Sequence, residues 1–569
     1  MSDSHKIRRA LISVWDKTGL IDFAQALHQE FGITLISTGG TARTLRAAGL
    51  PVTLVEDVTG FPEMMNGRVK TLHPKIHAGL LADRDNPEHL RQLAEQGIEP
   101  IDMVVVNLYP FAQTIARPGC TFAEAIEMID IGGPCLLRAA AKNHRHVLVV
   151  SQPQSYAQVL EALRNWDNAA TRAAARRAGA QAAFSSTCGY DADVSAWLSY
   201  DEAGRPARRV LRLRRQAGTR YGENPHQAGE FLLLENGAGE AALARQVGEA
   251  ETEVSFNNYA DASAALELCA ELTRAGRPAA DTAAAAGTAH RGPAAACFIK
   301  HTNACGAALA DDPVAAYRQA YLGDPNAAMG GILATNFPVT AALAEVVMDT
   351  LKRFGKPLKE AGHPLPPQAF FVEVWLAPAF DDEAVALIRS RKTWGRRVRL
   401  LEVGDLAAAP DPNELDLKRI AGGVLMQTRD LVGLNEEQWQ VVTTRAPSAA
   451  ELSDLRLAWL VCKHTKSNAI TVCKDGMLLG NGAGQMSRVM SCRIATWLAR
   501  ENGHANRLAG AVAASDAFFP FRDGPDILAD AGVTALIQPG GSKNDAQVID
   551  ACNERSIAML FTGTRHFRH

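Results

Sequence analysis

Between residues 7 and 150 the apolar positions alternate between two periods. The stretches "ALISV" (10–14), "ITLIST" (33–38), "PVTLVEDV" (51–58) and "IDMVVVNLY" (101–109) are short, apolar and rich in β-branched residues. They predict strands. "GLIDFAQALHQEFG" (19–32), ending on Gly32, and "TARTLRAAG" (41–49) carry apolar residues at helical spacing instead. Strand–helix alternation predicts a mainly parallel sheet with helices on both faces. Ligands of such sheets sit beyond the carboxyl ends of the strands. The loops "SVWDKTG", "STGGTA" and "NLYPF" are therefore the places to look for chemistry.

Residues 152–200 have a helical pattern rich in Ala and Arg, and "SYDEAGRPARRV" then interrupts it, which places a domain boundary near 200. The basic run "RPARRVLRLRR" reads as a solvated edge strand or linker. Further on a tripeptide occurs twice, Lys300-His301-Thr302 in "CFIKHTNACG" and Lys463-His464-Thr465 in "LVCKHTKSNAI". Each copy follows an apolar run read as a buried strand, and each precedes a Gly-rich segment. This predicts that the part from 201 to 569 is duplicated, with a second α/β half starting near 450. "PDPNELDLKRIAGGVLMQTRD" (410–430) would bridge the halves. The Ala-rich stretch 273–293 reads as an exposed insert with no assigned role.

At 569 residues the chain exceeds one hydrophobic core and should form two to four domains. Its formal net charge of -3 argues against a protein built to coat nucleic acid. The opening residues show no long apolar stretch behind their charges, so a secretory signal is not expected, and no apolar run of 18 or more residues predicts a membrane span. The ten cysteines form no CxxC pair, so they read as reduced thiols of a cytoplasmic enzyme without an evident zinc site.

Several polar groupings change this outline. Ser37, Thr38, Gly39, Gly40 and Thr41 precede a predicted helix. They read either as a helix-capping turn or as an anion cradle, with Lys17 as countercharge. "NGRVKTLHPKIHAG" concentrates Arg68, Lys70, His73, Lys75 and His77, as a site for an anion or a carbonyl oxygen would. Tyr109, Asp130 and Lys142 could add an acid, a base and an oxyanion partner. In the second part, Arg220, Tyr221, Asn224 and His226 lie near a proline turn, Asn257 and Asn258 precede a helix, and Phe518, Phe519 and Phe521 stand beside Asp523. The aromatics read as core or as a pocket for a flat heterocycle. The terminal "TRHFRH" reads as a frayed tail or as a lid.

Taken in order, "SVWDKTGL", "STGGTA", "NGRVKTLHPKIH", "NLYPF", "IDIGG", "LLRAAAKNH", "RYGENPHQ", "NNYADA", "KHTNACG", "KHTKSNA", "GAGQMSR", "SDAFFPFRD" and "RHFRH" resemble the bifunctional purine-biosynthesis family that combines AICAR transformylase with IMP cyclohydrolase, over essentially the whole chain. The resemblance implies a methylglyoxal-synthase-like domain (1–200) that closes FAICAR to IMP. It also implies a transformylase domain (201–569) of two cytidine-deaminase-like halves, which formylates AICAR from 10-formyltetrahydrofolate. In the second domain it makes His301 the base, Lys300 its partner, Asn468 the residue that positions the formyl group, and His569 a supporting group. Arg220, Tyr221 and Arg565 would hold the ribotide phosphate, and Asn258 and Phe518 would contact AICAR. Met329, Gln485, Val489, Pro520 and Asp523 would lie along the folate. In the first domain it assigns Lys70 and Tyr109 to the oxyanion and Asp130 and Lys142 to proton handling. Ser13, Lys17 and residues 37–41 would form the phosphate cradle, and Arg68 and Thr71 would contact the ribotide. Trp15 and Met486 depart from some relatives. The resemblance also implies a homodimer and no catalytic metal, nucleic-acid partner or membrane association.

Two other readings compete. A zinc deaminase would need a His or Cys beside a catalytic Glu and then PCxxC, and neither Lys-His-Thr copy offers this. A non-catalytic nucleotide-binding regulator would lack proton-transfer residues, which both candidate sites possess.

Overall fold

The computed structural model describes residues 6–202, 204–234, 245–276, 292–391 and 394–569. They divide into two compact units, 1–212 and 213–569, so the break falls after Arg212 rather than at 200. The predicted insert lies outside the described residues from 277 to 291.

The first unit is built on strands β1 (Arg9–Val14), β2 (Thr34–Ser37), β3 (Val52–Leu54), β4 (Met103–Asn107) and β5 (Leu148–Val150). All neighbouring pairs are parallel, in the order β3-β2-β1-β4-β5. Along β1 successive side chains enter opposite cores, as a two-residue period requires. Ala10, Ile12 and Val14 pack with Leu20, Phe23 and Leu27 of the helix Leu20–Gln29. Leu11 packs on the other face with Leu136 and Leu137 of the helix Gly132–Lys142 and with Ala180 and Ala183 of the helix Ala169–Leu198. The expected strand "PVTLVEDV" lasts three residues and then becomes the helix Val55–Thr59. There Asp57 Oδ2 accepts from the Leu54 N–H at 3.1 Å, and acidic groups in a first turn favour a helix.

The second unit opens with an exposed hairpin, β6 (Leu213–Thr219) and β7 (Gly229–Leu234). Then come β8 (Gln246–Val247), β9 (Ala294–Lys300), β10 (Asn303–Ala310), β11 (Gly331–Thr335), β12 (Val372–Ala377) and β13 (Arg399–Glu402). A second exposed hairpin, β14 (Leu415–Ile420) and β15 (Gly423–Thr428), occupies the predicted bridge. After it come β16 (Gln440–Val441), β17 (Ile470–Lys474), β18 (Met477–Gly482), β19 (Ala511–Ser515), β20 (Val533–Gln538) and β21 (Ala558–Phe561). Twelve of these strands form one sheet, in the order β16-β21-β20-β19-β17-β18-β10-β9-β11-β12-β13-β8.

That order reads the same from both edges, with β10 meeting β18 at the centre, which is the mark of a duplication. Matching details repeat it. A Ser N-cap with a capping box opens both the helix Phe256–Ala275 and the helix Ala449–Lys463. A Cβ on Gly306 would lie 1.9 Å from the Ala320 carbonyl, and one on Gly480 would lie 2.1 Å from the Ala495 carbonyl. The Asn336 N–H donates to Ala295 O, and the Asp516 N–H donates to Ala469 O.

The two tripeptides are not part of this symmetry. Lys300 ends β9, and His301 and Thr302 form the hairpin turn to β10. Lys463 instead ends the helix Ala449–Lys463, and His464 is its C-cap. The apolar run before the second copy is helical, not the expected strand, because Ser448 and Glu451 nucleate a helix that carries it. The turn equivalent to His301-Thr302 is Asp475-Gly476, between β17 and β18. The second half begins with β16 at 440, ahead of the expected 450.

Candidate active sites

In the first unit the strand order reverses between β1 and β4, and in such sheets ligands bind beyond the carboxyl ends of the strands at that point. Asn107, the last residue of β4, fixes the loop after β1. Its Oδ1 accepts from the N–H groups of Trp15 (2.7 Å) and Asp16 (2.9 Å), and its Nδ2 donates to Asp16 O. Trp15 meets Tyr109 edge-on at 5.2 Å, and Lys17 Nζ donates to Trp15 O. Ser13 lies on β1 itself. After β2, Ser37 is buried with its hydroxyl on Ile12 O, and Thr41 Oγ1 bonds the Val14 backbone in both directions. These two hydroxyls therefore hold the loop in place, and Thr38, Gly39 and Gly40 present the start of the helix Gly39–Ala47. The "STGGTA" turn opens this helix at Thr38, whose side chain makes no capping bond.

Lys70 reaches this loop because Gly39 and Gly67 have no side chains. A Cβ on Gly39 would lie 3.1 Å from Lys70 Nζ, and one on Gly67 would lie 2.3 Å from Lys70 Cε. Lys70 Nζ pairs with Glu63 at 3.2 Å, and Arg68 pairs with Glu127. Next along the chain, Thr71 lies against Gly132, where a Cβ would be 3.0 Å from Thr71 Oγ1. Asp130 precedes that helix and accepts from the Gly133 N–H at 2.8 Å. Burial raises its carboxyl above the usual range against the pull of the Gly133 and Tyr109 N–H groups. Tyr109 is raised by burial and by the charges of Asp130 and Glu63. Tyr190, on the long helix, accepts from the Asp130 N–H and donates to Met128 O, both at 2.7 Å. Lys142 does not join this group within the chain. It is exposed at the far end of the helix Gly132–Lys142, a rise of about 15 Å from Gly132.

In the second unit Lys300 Nζ donates to Met329 O at 2.8 Å. Lys300 and His301 line a cavity of about 180 Å³ with Asn303, Cys305 and Asp324 of the first half and Asn481 and Asn502 of the second. The halves are tied together here. Asn303 Nδ2 donates to His301 O, and its Oδ1 accepts from the Lys466 N–H at 2.9 Å. Lys466 Nζ donates to the carbonyl of His569 at 2.8 Å. The His301 hairpin, the loop before β17 and the chain terminus thus form one continuous set.

Asn468 is held on every side. Its N–H and Nδ2 donate to Gln485 O, its Oδ1 accepts from Arg488 at 2.7 Å, and its carbonyl accepts from Ser491. Arg488 also bonds Asp516, a wholly buried carboxylate, at 2.5 Å. Asp516 accepts from Ser467 as well, and its carbonyl accepts from the His566 N–H. Phe518 follows Asp516 and is partly exposed, whereas Phe519 belongs to the core. Val489 follows Arg488, and on the same helix burial pushes the Cys492 thiol up to about 12, with a smaller push from the charge of Asp523. Pro520 O accepts from Asn544. The tail is packed, not frayed: His566 is buried on Asp430 and Trp459, and Arg568 bonds Glu267. Arg565 lies over Phe567 at 4.6 Å. Arg220 lies over Tyr221 at 5.1 Å, and Asn257 Nδ2 donates to Glu223 O, which anchors that loop to the helix Phe256–Ala275. Asn258 is the capping-box partner of Ser255.

Asn107, Glu63, Tyr190 and Arg488 were not singled out in the sequence. Asn107 at a strand end was a usable signal. Arg488 closes the string "GAGQMSR", but its bonds to Asn468 and Asp516, like those of Tyr190 to Met128 and Asp130, cross long sequence separations.

Among the described residues no helix is long and apolar enough to cross a membrane. The model of the family described as AICARFT/IMPCHase bienzyme matches residues 140–497, and that of the MGS-like domain matches residues 19–135. The bifunctional purine biosynthesis protein PurH of Magnetococcus marinus is 48% identical over 575 aligned residues, covering 99% of this chain and 100% of the relative. The crystal structure of ForH is 37% identical over 33% of this chain and 94% of that one, with a TM-score of 0.30. The chain belongs to the AICARFT/IMPCHase bienzyme family, with an MGS-like domain at its N-terminus.

Proposed function

We propose that the chain performs the last two steps of IMP synthesis, formyl transfer to AICAR in the unit 213–569 and dehydrative closure of FAICAR in the unit 1–212. The formyl donor is 10-formyltetrahydrofolate. The observation that carries this reading is the link from the His301 hairpin through Asn303 and Lys466 to His569, which gathers groups from both halves into one set.

The AICAR amine is conjugated with its ring and is a poor nucleophile. His301 takes its proton as the nitrogen attacks the formyl carbon. Lys300 stabilises the oxyanion or protonates the departing folate nitrogen. Asn468, oriented by Arg488, positions the formyl oxygen. Arg220, Tyr221 and Arg565 take the phosphate, Asn258 and Phe518 the base, and Met329, Gln485, Val489, Pro520 and Asp523 the folate.

In closure, the carboxamide nitrogen attacks the formyl carbon within one molecule, so holding a folded conformer supplies much of the rate. Residues 37–41, Ser13, Lys17, Arg68 and Thr71 bind the ribotide. Lys70 and Tyr109 stabilise the oxyanion, and Asp130 moves a proton. Lys142 would join them only from a partner copy or after rearrangement, which fits the proposed homodimer. The protein works in the cytoplasm on this reading.

FAICAR and IMP followed separately test the assignment. His301→Ala should abolish formyl transfer and leave closure of added FAICAR nearly intact, and Lys70→Ala should do the converse. Loss of both activities in either variant, with the fold preserved, would overturn the two-site reading.

A further inference from the structure

His301 and Thr302 both have left-handed backbone conformations, with φ of 53° and 60°. Two such residues in a two-residue loop make the turn that matches the twist of a β-hairpin. Gly, Asn or Asp normally occupies these positions, and a β-branched Thr there is an outlier. Such a conformation persists only where its surroundings over-determine it. The helix Phe256–Ala275 supplies that constraint. The carboxylate of Asp261 accepts from the Thr302 N–H at 2.7 Å through Oδ1 and from the His301 N–H at 3.3 Å through Oδ2.

The sister half repeats the device. Asp454 is the sixth residue of its helix, as Asp261 is of its own. It accepts from the N–H groups of Asp475 (2.9 Å) and Gly476 (2.7 Å) in the equivalent turn. There φ is 51° and 71°, and the second position is glycine, which takes that conformation at no steric cost. The sister clamp only reinforces a turn its sequence already favours, whereas in the first half the clamp holds a turn its sequence opposes.

We propose that Asp261 is a positioning residue for His301: by holding the left-handed turn it fixes the direction in which the imidazole leaves the backbone. If the turn relaxed to right-handed conformations, the Cα–Cβ direction at His301 would swing and the strand ends would splay. The inference rests on His301 being the formyl-transfer base.

The test compares Asp261→Ala, Asp261→Asn, Asp454→Ala and the double variant Asp261→Ala/Thr302→Gly in the full chain, each assayed for both activities. A displacement of about 1 Å can cost on the order of 100-fold in rate. Asp261→Ala should therefore lose 10- to 100-fold in formyl-transfer kcat, by that order-of-magnitude scale, with KM for AICAR and folate within about twofold and closure of FAICAR unchanged. Asp261→Asn, which keeps one acceptor, should fall between it and the parent. Thr302→Gly should recover most of the loss, because glycine needs no clamp. Asp454→Ala should lower the unfolding midpoint and leave kcat unchanged. A parent-like kcat in Asp261→Ala overturns the proposal, and so does an equal loss in Asp454→Ala or no recovery with Thr302→Gly. Should Asp261→Ala not fold, Asp261→Asn decides by the same kcat criterion. Absence of formyl transfer in the parent would instead reject the function itself.

Discussion

At the scale of single residues, the same side chain can serve chemistry at the expense of stability. Asp130 sits in a half-buried position where its charged form is disfavoured, so its carboxyl titrates above the usual value of 3.8. A raised pKa means that the folded state binds its proton more tightly than the unfolded chain does. The associated stability is fully present below pH 3.8 and is lost as pH rises through the folded value. At neutral pH the charged group is therefore a cost. Asp130→Asn keeps an acceptor for the Gly133 N–H and removes that charge. We expect its melting temperature at pH 7 to exceed the parent's by roughly 1–3 °C, with the difference shrinking on acidification. FAICAR closure should fall on the order of 10²- to 10⁴-fold. Calorimetry at two pH values and a closure assay check both outcomes, and a destabilised variant at pH 7 would contradict the burial argument. Asp130 was recognisable from its motif, but its perturbation was not. The perturbation arises from burial, which only folding creates and which outweighs the opposing pull of the Gly133 and Tyr109 N–H groups.

At the scale of elements, helices pack on the central sheet at two glycines. Gly306 on β10 and Gly480 on β18 let the helices Pro313–Gly323 and Arg488–Glu501 approach until a Cβ would strike a backbone carbonyl. A flexible side chain could yield, but a helical carbonyl cannot without moving its helix. Gly480→Ala and Gly306→Ala should each destabilise by about 1–3 kcal/mol, the cost of overpacking a filled core. Urea unfolding measures this, and a change below about 0.5 kcal/mol would show that the helices slide freely. Local pattern foretold β1, β2 and β4 and the helices Leu20–Gln29 and Gly39–Ala47 of the first unit. It failed for "PVTLVEDV" and for the run before Lys463, where capping groups turned apolar β-branched or Leu-rich segments into helices. Short apolar runs do not distinguish a buried strand from a buried helix by period.

At the scale of the whole second unit, the two halves are locked by a buried charge cluster. Glu271, on the first half's helix, accepts from Lys463 Nζ at 2.7 Å and lies 2.5 Å from His464 Nε2, both on the second half's helix. Arg568 of the tail cannot accept a hydrogen bond, so the His464 Nδ1 facing it at 3.2 Å is an acceptor and Nε2 carries the proton toward Glu271. Burial pushes the Glu271 carboxyl up, but the bonds from His464 and Lys463 outweigh it and hold the group down at about 2. With a depressed pKa the sign reverses relative to Asp130. This stability is present above 4.5 and is lost as pH falls toward 2. Glu271→Gln leaves Lys463 only the more distant Asp430 at 3.9 Å and the Val432 carbonyl at 2.8 Å, and should cost up to about 3–5 kcal/mol at neutral pH. The variant should also lose less stability than the parent between pH 4.5 and 2. Unfolding curves across that range test both, and parallel curves would remove Glu271 from the acid response.

The sequence by itself determined the strand–helix alternation of the first unit, the two-part organisation, the family and the motifs that carry the candidate residues. Each is written in local periodicity or in contiguous strings. Only the tertiary structure decided that the repeated Lys-His-Thr occupies two unrelated places. A hairpin turn and a helix end can carry the same three letters, and the true counterpart of His301-Thr302 is the dissimilar pair Asp475-Gly476. The fold alone also supplied Asp261, Arg488 and Glu271. Asp261 and Arg488 lie in the strings "NNYADA" and "GAGQMSR", but the roles of all three depend on groups tens to hundreds of residues away, which meet only when the sheet closes.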